Sequence, residues 1–292
     1  MSVVINTNVD ALKIQNILSG ATNKLSDSMQ RMSSGLKINS AKDDAAGTVI
    51  SARMYVQLDG NQICQNNIQN GNALLSTAEG NIDVILDNVT RIRDLTLQAK
   101  NGTYSTSEIQ AIQKEVKERL AEIDRVSNSS KFSQLSLFED TGLQTNGITF
   151  QVGQNADTGD KTDNIITADK DIFQSVKFSA LTDIDGAFNL VSIKAGTGSY
   201  SNFNVALTKL DDAIDDLSAR KSLIGSAQSR LGSALDTLTT QYSNLSSAKS
   251  IITDSDIAAE ASQFTQNQIL QQVSTSLLAQ ANQAPSVALS LI

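Results

Sequence analysis

The order of apolar and polar positions divides the chain into three regions. From residue 9 to about residue 126, apolar side chains recur three and four residues apart, which predicts amphipathic helices. Between residues 132 and 203 this spacing breaks into short alternating runs separated by Gly, Asn and Asp, which favours strands and turns. From residue 207 onward the helical spacing returns. The pattern therefore predicts a mainly α protein with a small β region in its middle.

The clearest periodicity is a heptad seam in the third region. Alternating steps of four and three residues from Leu210 to Ile252 visit 13 positions, of which ten are apolar. At about 1.5 Å per residue the seam follows a helix for roughly 60 Å, and a single helix cannot bury it. The seam therefore predicts helical partners of matching length. Its apolar positions are Leu210, Ile214, Leu217, Ile224, Leu231, Leu235, Leu238, Tyr242, Leu245 and Ile252.

The first region supplies such partners as two apolar stripes. Asn101-Gly102 ends one predicted helix, and Ser105 with Glu108 has the spacing of a capping box that begins the next. The two helices are therefore predicted to be antiparallel neighbours in a bundle. The first stripe contains Ile82, Ile85, Leu86, Val89, Ile92, Leu95 and Ala99, and the second contains Ile109, Ile112, Val116, Leu120, Ile123 and Val126. A looser stripe near the start contains Leu18, Ala21, Leu25 and Met32.

The middle region predicts a β hairpin and several short strands. Residues 148–152 alternate in polarity as a strand does, and Gly147 and Gly153 bound them. Further short candidates are residues 165–166, 178–181 and 188–193. The expected architecture is a helical bundle with coiled-coil character that carries a small β-hairpin region.

The last part of the chain lacks charge. No Asp, Glu, Lys or Arg follows Glu260, although apolar residues continue at regular spacing. A free helix of this kind is marginal in water, so the segment is either a disordered tail or a tail that orders on assembly. The regular spacing favours assembly. The predicted assembly core comprises Leu18, Leu25, Met32, Phe264, Ile269, Val273 and Leu277.

Composition excludes several functions. The 23 basic and 31 acidic side chains give a net charge of −8, which argues against nucleic acid as a partner. The sequence has no histidine and a single cysteine, so it offers neither a Ser-His-Asp triad nor a zinc cluster. No apolar run reaches the roughly 18 residues of a membrane span, and no signal peptide is recognisable. Composition alone predicts a cytosolic, helical protein that is not an enzyme and needs no cofactor.

The remaining polar motifs are better explained by structure than by chemistry. Asp43-Asp44 precedes a predicted helix start, and Asp254-Ser-Asp256 precedes another, so both are interpreted as caps. Gly196-Thr-Gly198 lacks the spacing of a nucleotide loop and is interpreted as a turn. The acidic residues Asp157, Asp160 and Asp163 are interpreted as a solvated loop. Cys64 lies in a helical stretch and is predicted to be a small buried apolar residue.

Four segments resemble bacterial flagellins. Residues 32–47 resemble the hallmark sequence of that family, residues 89–103 its helix-end motif, residues 150–153 its hairpin and residues 279–292 its C-terminal segment. The resemblance covers residues 1–155 and 204–292. It implies a structural subunit that polymerises into an extracellular filament after export without a cleaved signal peptide. That implication replaces the cytosolic location expected from composition.

The resemblance also implies a division of the chain. Residues 1–42 and 253–292 would be the two halves of an inner-core assembly domain. Residues 43–176 would form the N-terminal helices and hairpin of a rod domain, and residues 204–252 its C-terminal helix. Residues 177–203 would be a short variable insert.

Further partners follow from the same resemblance. These are the flagellar export apparatus, an export chaperone, the filament cap and the hook–filament junction proteins, with neither nucleic acid nor membrane insertion. Recognition by Toll-like receptor 5 would use Arg91, Leu95 and Glu115. Two alternatives stay open, a hook–filament junction protein and a helical chemoreceptor-like signalling rod. The short insert and the intact residues 150–153 argue against the first, and the motifs near both chain ends argue against the second.

Overall fold

The computed structural model describes residues 8–138, 143–155, 164–174 and 200–289. Their helices are α1 (Val9–Ser34), α2 (Ala45–Lys100), α3 (Thr106–Ser129), α4 (Leu143–Asn146), α5 (Tyr200–Thr253) and α6 (Ile257–Leu289), with one 3-10 turn at Lys170–Phe173. The predicted strands at 178–181 and 188–193, the turn at 196–198 and the acidic residues 157, 160 and 163 lie outside the described residues. The mainly α prediction is confirmed.

The chain forms two compact units. Residues 60–241 form the continuous unit, and residues 1–59 and 242–292 form the discontinuous unit. Helices α2 and α5 contribute residues to both. The continuous unit contains the predicted stripes and the β region, whereas the discontinuous unit contains α1 and α6.

The continuous unit is built on a core shared by α2, α3 and α5. Every residue of the two predicted stripes is buried or packed against this core, and so are the apolar seam positions from Leu210 to Leu238. Burying a side chain of this size contributes roughly 1.5–3 kcal/mol. Ion pairs flank the core, from Arg93 of α2 to Asp211 of α5 at 2.5 Å and from Lys221 of α5 to Asp83 of α2 at 2.6 Å. The predicted bundle is confirmed.

The seam is not buried over its full predicted length. Tyr242 is exposed, and Leu245 and Ile252 are only half-buried. These positions belong to the discontinuous unit, beyond the end of the three-helix core that covers Leu210 and Leu238. The prediction of one continuous buried seam to Ile252 is therefore wrong after Leu238.

The turn between α2 and α3 is closed as predicted. The backbone N–H of Ser105 donates to Glu108 Oε2 at 2.7 Å, and both halves of the capping box are present. This bonding lowers the pKa of the Glu108 carboxyl below its ordinary value, with the Ser105 backbone as the main cause. The carboxylate also lies in the first turn of α3, where the helix dipole favours negative charge.

Two small hairpins complete the continuous unit. Strands β1 (Lys131–Phe132) and β2 (Leu135–Ser136) form a short antiparallel pair that the sequence pattern did not predict. Strands β3 (Ile148–Gln151) and β4 (Ile165–Ala168) form the predicted hairpin, with Phe150 opposite Ile166. Phe150 packs directly on α2, where a Cβ added at Gly71 would lie 2.9 Å from its ring. Glycine at that position lets the hairpin approach the helix closely.

A candidate assembly surface on helices α1 and α6

Helices α1 and α6 pack against each other in the discontinuous unit, and they run antiparallel. Asn8 Nδ2 at the start of α1 donates to the Ala281 carbonyl near the end of α6 at 2.8 Å. Further along, Gln271 Nε2 donates to Thr22 Oγ1 at 3.4 Å. The pair therefore joins residues that are more than 240 positions apart in the sequence, which makes it the longest-range packing in the described chain.

The end of α1 is fastened to the start of α6. Gly35 terminates α1 in the left-handed region with φ 70°, which glycine adopts without steric cost. The Ser255 N–H donates to the Gly35 carbonyl at 2.9 Å, and the Lys37 N–H donates to the Thr253 carbonyl at 2.7 Å. These two bonds flank an isolated antiparallel bridge between Leu36 and Asp254. They fix the register of the helix pair.

The predicted caps are confirmed at Asp44 and Asp256, whereas Asp43 and Asp254 accept from residues that precede them. Asp256 Oδ1 accepts from the backbone N–H of Ala258 at 2.9 Å and begins α6, while Asp44 Oδ1 accepts from Gly47 at 2.9 Å and begins α2. Asp43 Oδ2 accepts from the Ser40 N–H at 2.9 Å. Bonds from the Ser40 backbone chiefly lower the pKa of Asp43, and a bond from the Ser250 hydroxyl chiefly lowers that of Asp254. These carboxylates hold local structure and form no acid/base pair.

The helix pair leaves much of its apolar surface exposed. Among the described residues, the buried side chains of α1 and α6 are small ones and the side chain of Glu260, whereas the large apolar side chains are half-buried or exposed. Most exposed large apolar side chains among the described residues belong to the discontinuous unit, whereas the continuous unit buries most of its own. Buried small residues of the pair are Ala21, Ser28 and Ser274. Exposed large ones on α1 and α6 are Val9, Leu12, Ile17, Met29, Ile257, Ile269, Leu270, Val273 and Leu277.

The residues predicted to form the assembly core fall into two groups. Leu18, Leu25, Met32 and Phe264 are half-buried within the helix pair. Ile269, Val273 and Leu277 remain 54%, 48% and 47% exposed. The second group forms an apolar stripe along α6, which we call the α6 stripe and to which Leu270 also belongs.

Another apolar surface lies where α2 begins and α5 ends. Tyr55, Val56 and Ile251 are all strongly exposed there, beside a groove of about 540 Å³ that Leu36 and Ile38 also line. Lys249 Nζ lies 5.2 Å from the centre of the Tyr55 ring, within cation–π range. Sequence reasoning missed this surface. The sequence feature that could have revealed this surface is the presence of apolar residues on two sides of α2, since Val49 and Val56 lie on the side opposite the buried Leu58.

Of the three residues expected to contact an innate receptor, two form an exposed ion pair and one is buried. Arg91 Nε and Glu115 Oε1 form an exposed ion pair at 3.1 Å, and Arg119 Nε lies 3.2 Å from the same oxygen. The bond from Arg91 is the main reason that the pKa of Glu115 is lowered. Leu95 is only 1% exposed because it packs in the core of the continuous unit. The expectation that Leu95 offers a surface contact is therefore wrong.

Cys64 is 3% exposed, as predicted, and its burial raises the pKa of the thiol. No group of three or more potential metal ligands occurs among the described residues. None of the described helices combines the length and apolarity that crossing a bilayer requires.

The fold is that of a mainly helical protein with an exposed apolar stripe on α6. Comparison with known proteins gives the family. The profile of the bacterial flagellin N-terminal helical region matches residues 5–142, and that of the bacterial flagellin C-terminal helical region matches residues 207–292. The chain belongs to the bacterial flagellin family, and it is a structural subunit of the extracellular flagellar filament.

Individual relatives agree with this assignment. The chain is 35% identical to a flagellin of Bacillus subtilis, with 99% of both chains covered. It is 30% identical to the flagellar filament 30.7 kDa core protein of Treponema maltophilum, with 96% of both covered. A solved structure described as a flagellar hook-associated protein of Vibrio parahaemolyticus has a TM-score of 0.56, covering 72% of this chain and 99% of that one. Its 14% identity shows a shared fold alone.

Proposed function

We propose that this chain polymerises through the helix pair α1–α6, with the α6 stripe buried against neighbouring copies. The observation that carries the proposal is the exposure of the α6 stripe in the monomer. A helix pair that buries Ser28 and Ser274 while Ile269 and Leu277 stay about half exposed leaves part of its possible hydrophobic contribution unused in the monomer. Contact with other copies of the same pair would recover that contribution.

The charge distribution supports the same proposal. Glu260 is the only charged residue of α6, and it lies in the first turn, away from the α6 stripe. An ion buried without a partner costs several kcal/mol, whereas Ser, Thr, Gln and Asn can be buried once they are hydrogen-bonded. A surface of neutral polar and apolar side chains can therefore be packed on several sides. A surface intended for water alone would not need to exclude charge over almost the whole helix.

The proposed domain roles follow from the helix pair. Residues 1–42 and 253–292 would form the inner assembly domain, which the contacts between α1 and α6 support. Residues 43–176 and 204–252 would form the rod domain, and residues 177–203 the variable insert between its parts. The self-contained core of the continuous unit supports a rod domain that is stable before assembly.

Export and capping partners belong to the proposal as family expectations. The chain would pass through the flagellar export apparatus with the help of an export chaperone. It would then assemble between the hook–filament junction proteins and the filament cap. A role as a junction protein itself is not favoured, because the family profiles that match both halves are those of flagellin.

Receptor recognition is a second, separate proposal. Arg91 and Glu115 present an exposed ion pair on neighbouring helices, which supports a polar contact for Toll-like receptor 5. In reporter cells, Arg91→Ala should weaken activation by the monomer. Arg125→Ala is the matched control, because Arg125 is also exposed and ion-paired, to Glu122 within α3. Equal activation by the Arg91 variant and the unaltered chain would refute the contact.

Deletion of residues 261–292 tests the assembly proposal. The truncated chain should keep the cooperative melting of the continuous unit, because none of that core is removed. It should lose the helicity of α1 together with that of α6, because each packs on the other, and it should not elongate filament seeds. Seeded elongation followed by light scattering, beside a melting curve from circular dichroism, measures both effects. Elongation by the truncated chain would contradict the proposal.

A further inference from the structure

The chain contains three Asn-Gly pairs, at Asn70-Gly71, Asn101-Gly102 and Asn146-Gly147. This dipeptide can react with itself, because glycine has no Cβ to shield its backbone nitrogen from the side-chain amide of the preceding asparagine. The reaction needs that nitrogen free of a hydrogen bond and a backbone that can rotate to bring it to the amide carbon. The three pairs therefore share one chemistry, and the local structure of each decides its rate.

In two of the pairs, the backbone nitrogen of the glycine is hydrogen-bonded. Gly71 lies in the middle of α2, where its N–H belongs to the helical hydrogen-bond ladder. A Cβ at Gly71 would meet the Phe150 ring, so this part of the helix also packs against the β3–β4 hairpin. Gly147 donates its N–H to the Leu143 carbonyl at 2.8 Å, with φ fixed at +69°. In both pairs the nitrogen becomes available only after local opening.

The third pair is free to react. Asn101 and Gly102 are exposed in the turn between α2 and α3. The backbone of Asn101 is bonded, its N–H donating to the Gln98 carbonyl at 3.1 Å. The Gly102 N–H and the Asn101 side-chain amide have no hydrogen-bond partner among the described residues. The Asn101 carbonyl also accepts from the Tyr104 N–H at 3.5 Å, so the turn is ordered around the pair while the Gly102 nitrogen stays without a partner among the described residues.

We propose that Asn101 is a site of spontaneous deamidation in the folded protein. The Gly102 nitrogen loses its proton and attacks Cγ of Asn101, forming a carbon–nitrogen bond. The Cγ–Nδ2 bond then breaks, and the amide nitrogen takes up the proton and leaves as ammonia. Water opens the resulting cyclic imide at one of its two carbonyls and yields aspartate or isoaspartate. No oxidant, metal or enzyme is needed.

The product changes the end of α2. It places a new carboxylate one residue after Lys100, where the helix dipole is negative and disfavours an anion. Isoaspartate also adds a backbone carbon to the connection between α2 and α3. The modification therefore marks the age of a subunit at one defined turn. The inference is independent of the proposed mode of assembly, because the reaction requires only the folded monomer.

The experiment follows all three pairs in one sample. The full-length monomer is aged in neutral buffer, and peptides that contain each pair are quantified by mass spectrometry for the conversion of amide to acid. In the folded chain, Asn101 should convert at least about tenfold faster than Asn70 and Asn146, since the latter two must first open locally. In denaturant, the three rates should become similar. Equal rates in the folded chain, or slower conversion at Asn101, would overturn the proposal.

A matched variant tests the mechanism. Gly102→Ala is the test variant, because the added Cβ shields the nucleophilic nitrogen and Gly102 is not among the described glycines with positive φ. Conversion at Asn101 should then fall to the level of the other two sites, with the melting temperature unchanged. Conversion that continues at the original rate would show direct hydrolysis of the side chain and would refute the role of the Gly102 nitrogen.

Discussion

Leu277→Lys separates the stability of the subunit from its ability to assemble. Leu277 lies on the α6 stripe, and 47% of its side chain is already exposed in the monomer. Leucine and lysine have similar helix propensities, so the substitution does not disturb α6 itself. The variant therefore adds one positive charge to a surface that is half open in the monomer and, by the proposal, closed in the filament.

The expected magnitudes differ between the two states. Complete burial of a leucine side chain is worth roughly 1.5–3 kcal/mol, so a half-buried one contributes at most about 1.5 kcal/mol. The lysine methylenes can cover part of the same surface, which reduces the loss in the monomer further. In a filament, an ammonium buried without a partner costs several kcal/mol per subunit. Since about 1.4 kcal/mol corresponds to a tenfold change, elongation should weaken by about a hundredfold or more.

Seeded elongation and thermal melting measure the two effects in one preparation. Leu277→Lys should melt within a few degrees of the unaltered chain and should fail to extend seeds at concentrations that support normal growth. Leu277→Met is the matched control, because it keeps an apolar side chain of similar volume, and it should elongate normally. Unchanged elongation by the lysine variant would refute the reasoning, and so would unfolding of its monomer, which would place Leu277 in the subunit's own core.

Two further predictions concern the continuous unit. Cys64 should react with thiol reagents only on unfolding, because the side chain is 3% exposed and burial raises its pKa; rapid labelling of the folded monomer would contradict this. The pKa of Glu115 lies below its ordinary 4.5, so its ion pair stabilises the fold above that pH and is lost as the pH falls through the folded-state pKa. Glu115→Gln should therefore lower the unfolding free energy at neutral pH by less than about 1 kcal/mol and have no effect in strong acid. Glu118→Gln, an exposed carboxylate on the same helix, is the control, and an equal loss at both pH values would contradict the assignment.

The sequence predicted the continuous unit well because its helices obey ordinary amphipathic rules. Apolar stripes on α2 and α3 meet the seam of α5, and each stripe identifies the face that is buried. Capping residues can also be predicted from the sequence, since the carboxylates of Glu108, Asp44 and Asp256 accept from backbone N–H groups only two or three residues away. Local chemistry and helical period together determine these elements.

The discontinuous unit was harder to predict because apolarity there does not identify the buried face. The same α6 carries Phe264 half-buried and Ile269 exposed, and Ser274 is more buried than either. A leucine that will be buried by another copy of the chain has the same pattern in the sequence as one buried within the monomer. The sequence therefore predicted a single assembly core, and only the structure divided it into half-buried residues such as Phe264 and exposed ones such as Ile269.

The other errors have a similar origin. Leu95 lies in the predicted apolar stripe and also in the position matched to a receptor contact, and the two roles are incompatible in one folded state. The structure places it in the core. Tyr242 is exposed because the partner helices no longer cover α5 at that position. The heptad spacing of α5 alone does not indicate where that cover ends.

Burial of the α6 stripe on polymerisation is the central claim, and the accessibility of one engineered thiol tests it most directly. In a Cys64→Ala background, Val273→Cys places the only thiol on the stripe, at a position 48% exposed in the monomer. Labelling rates are then compared between the monomer and filaments grown from the same protein. The account predicts rapid labelling of the monomer and strong protection in the filament. Equal labelling in both states would show that the stripe stays open to solvent after assembly and would contradict the claim.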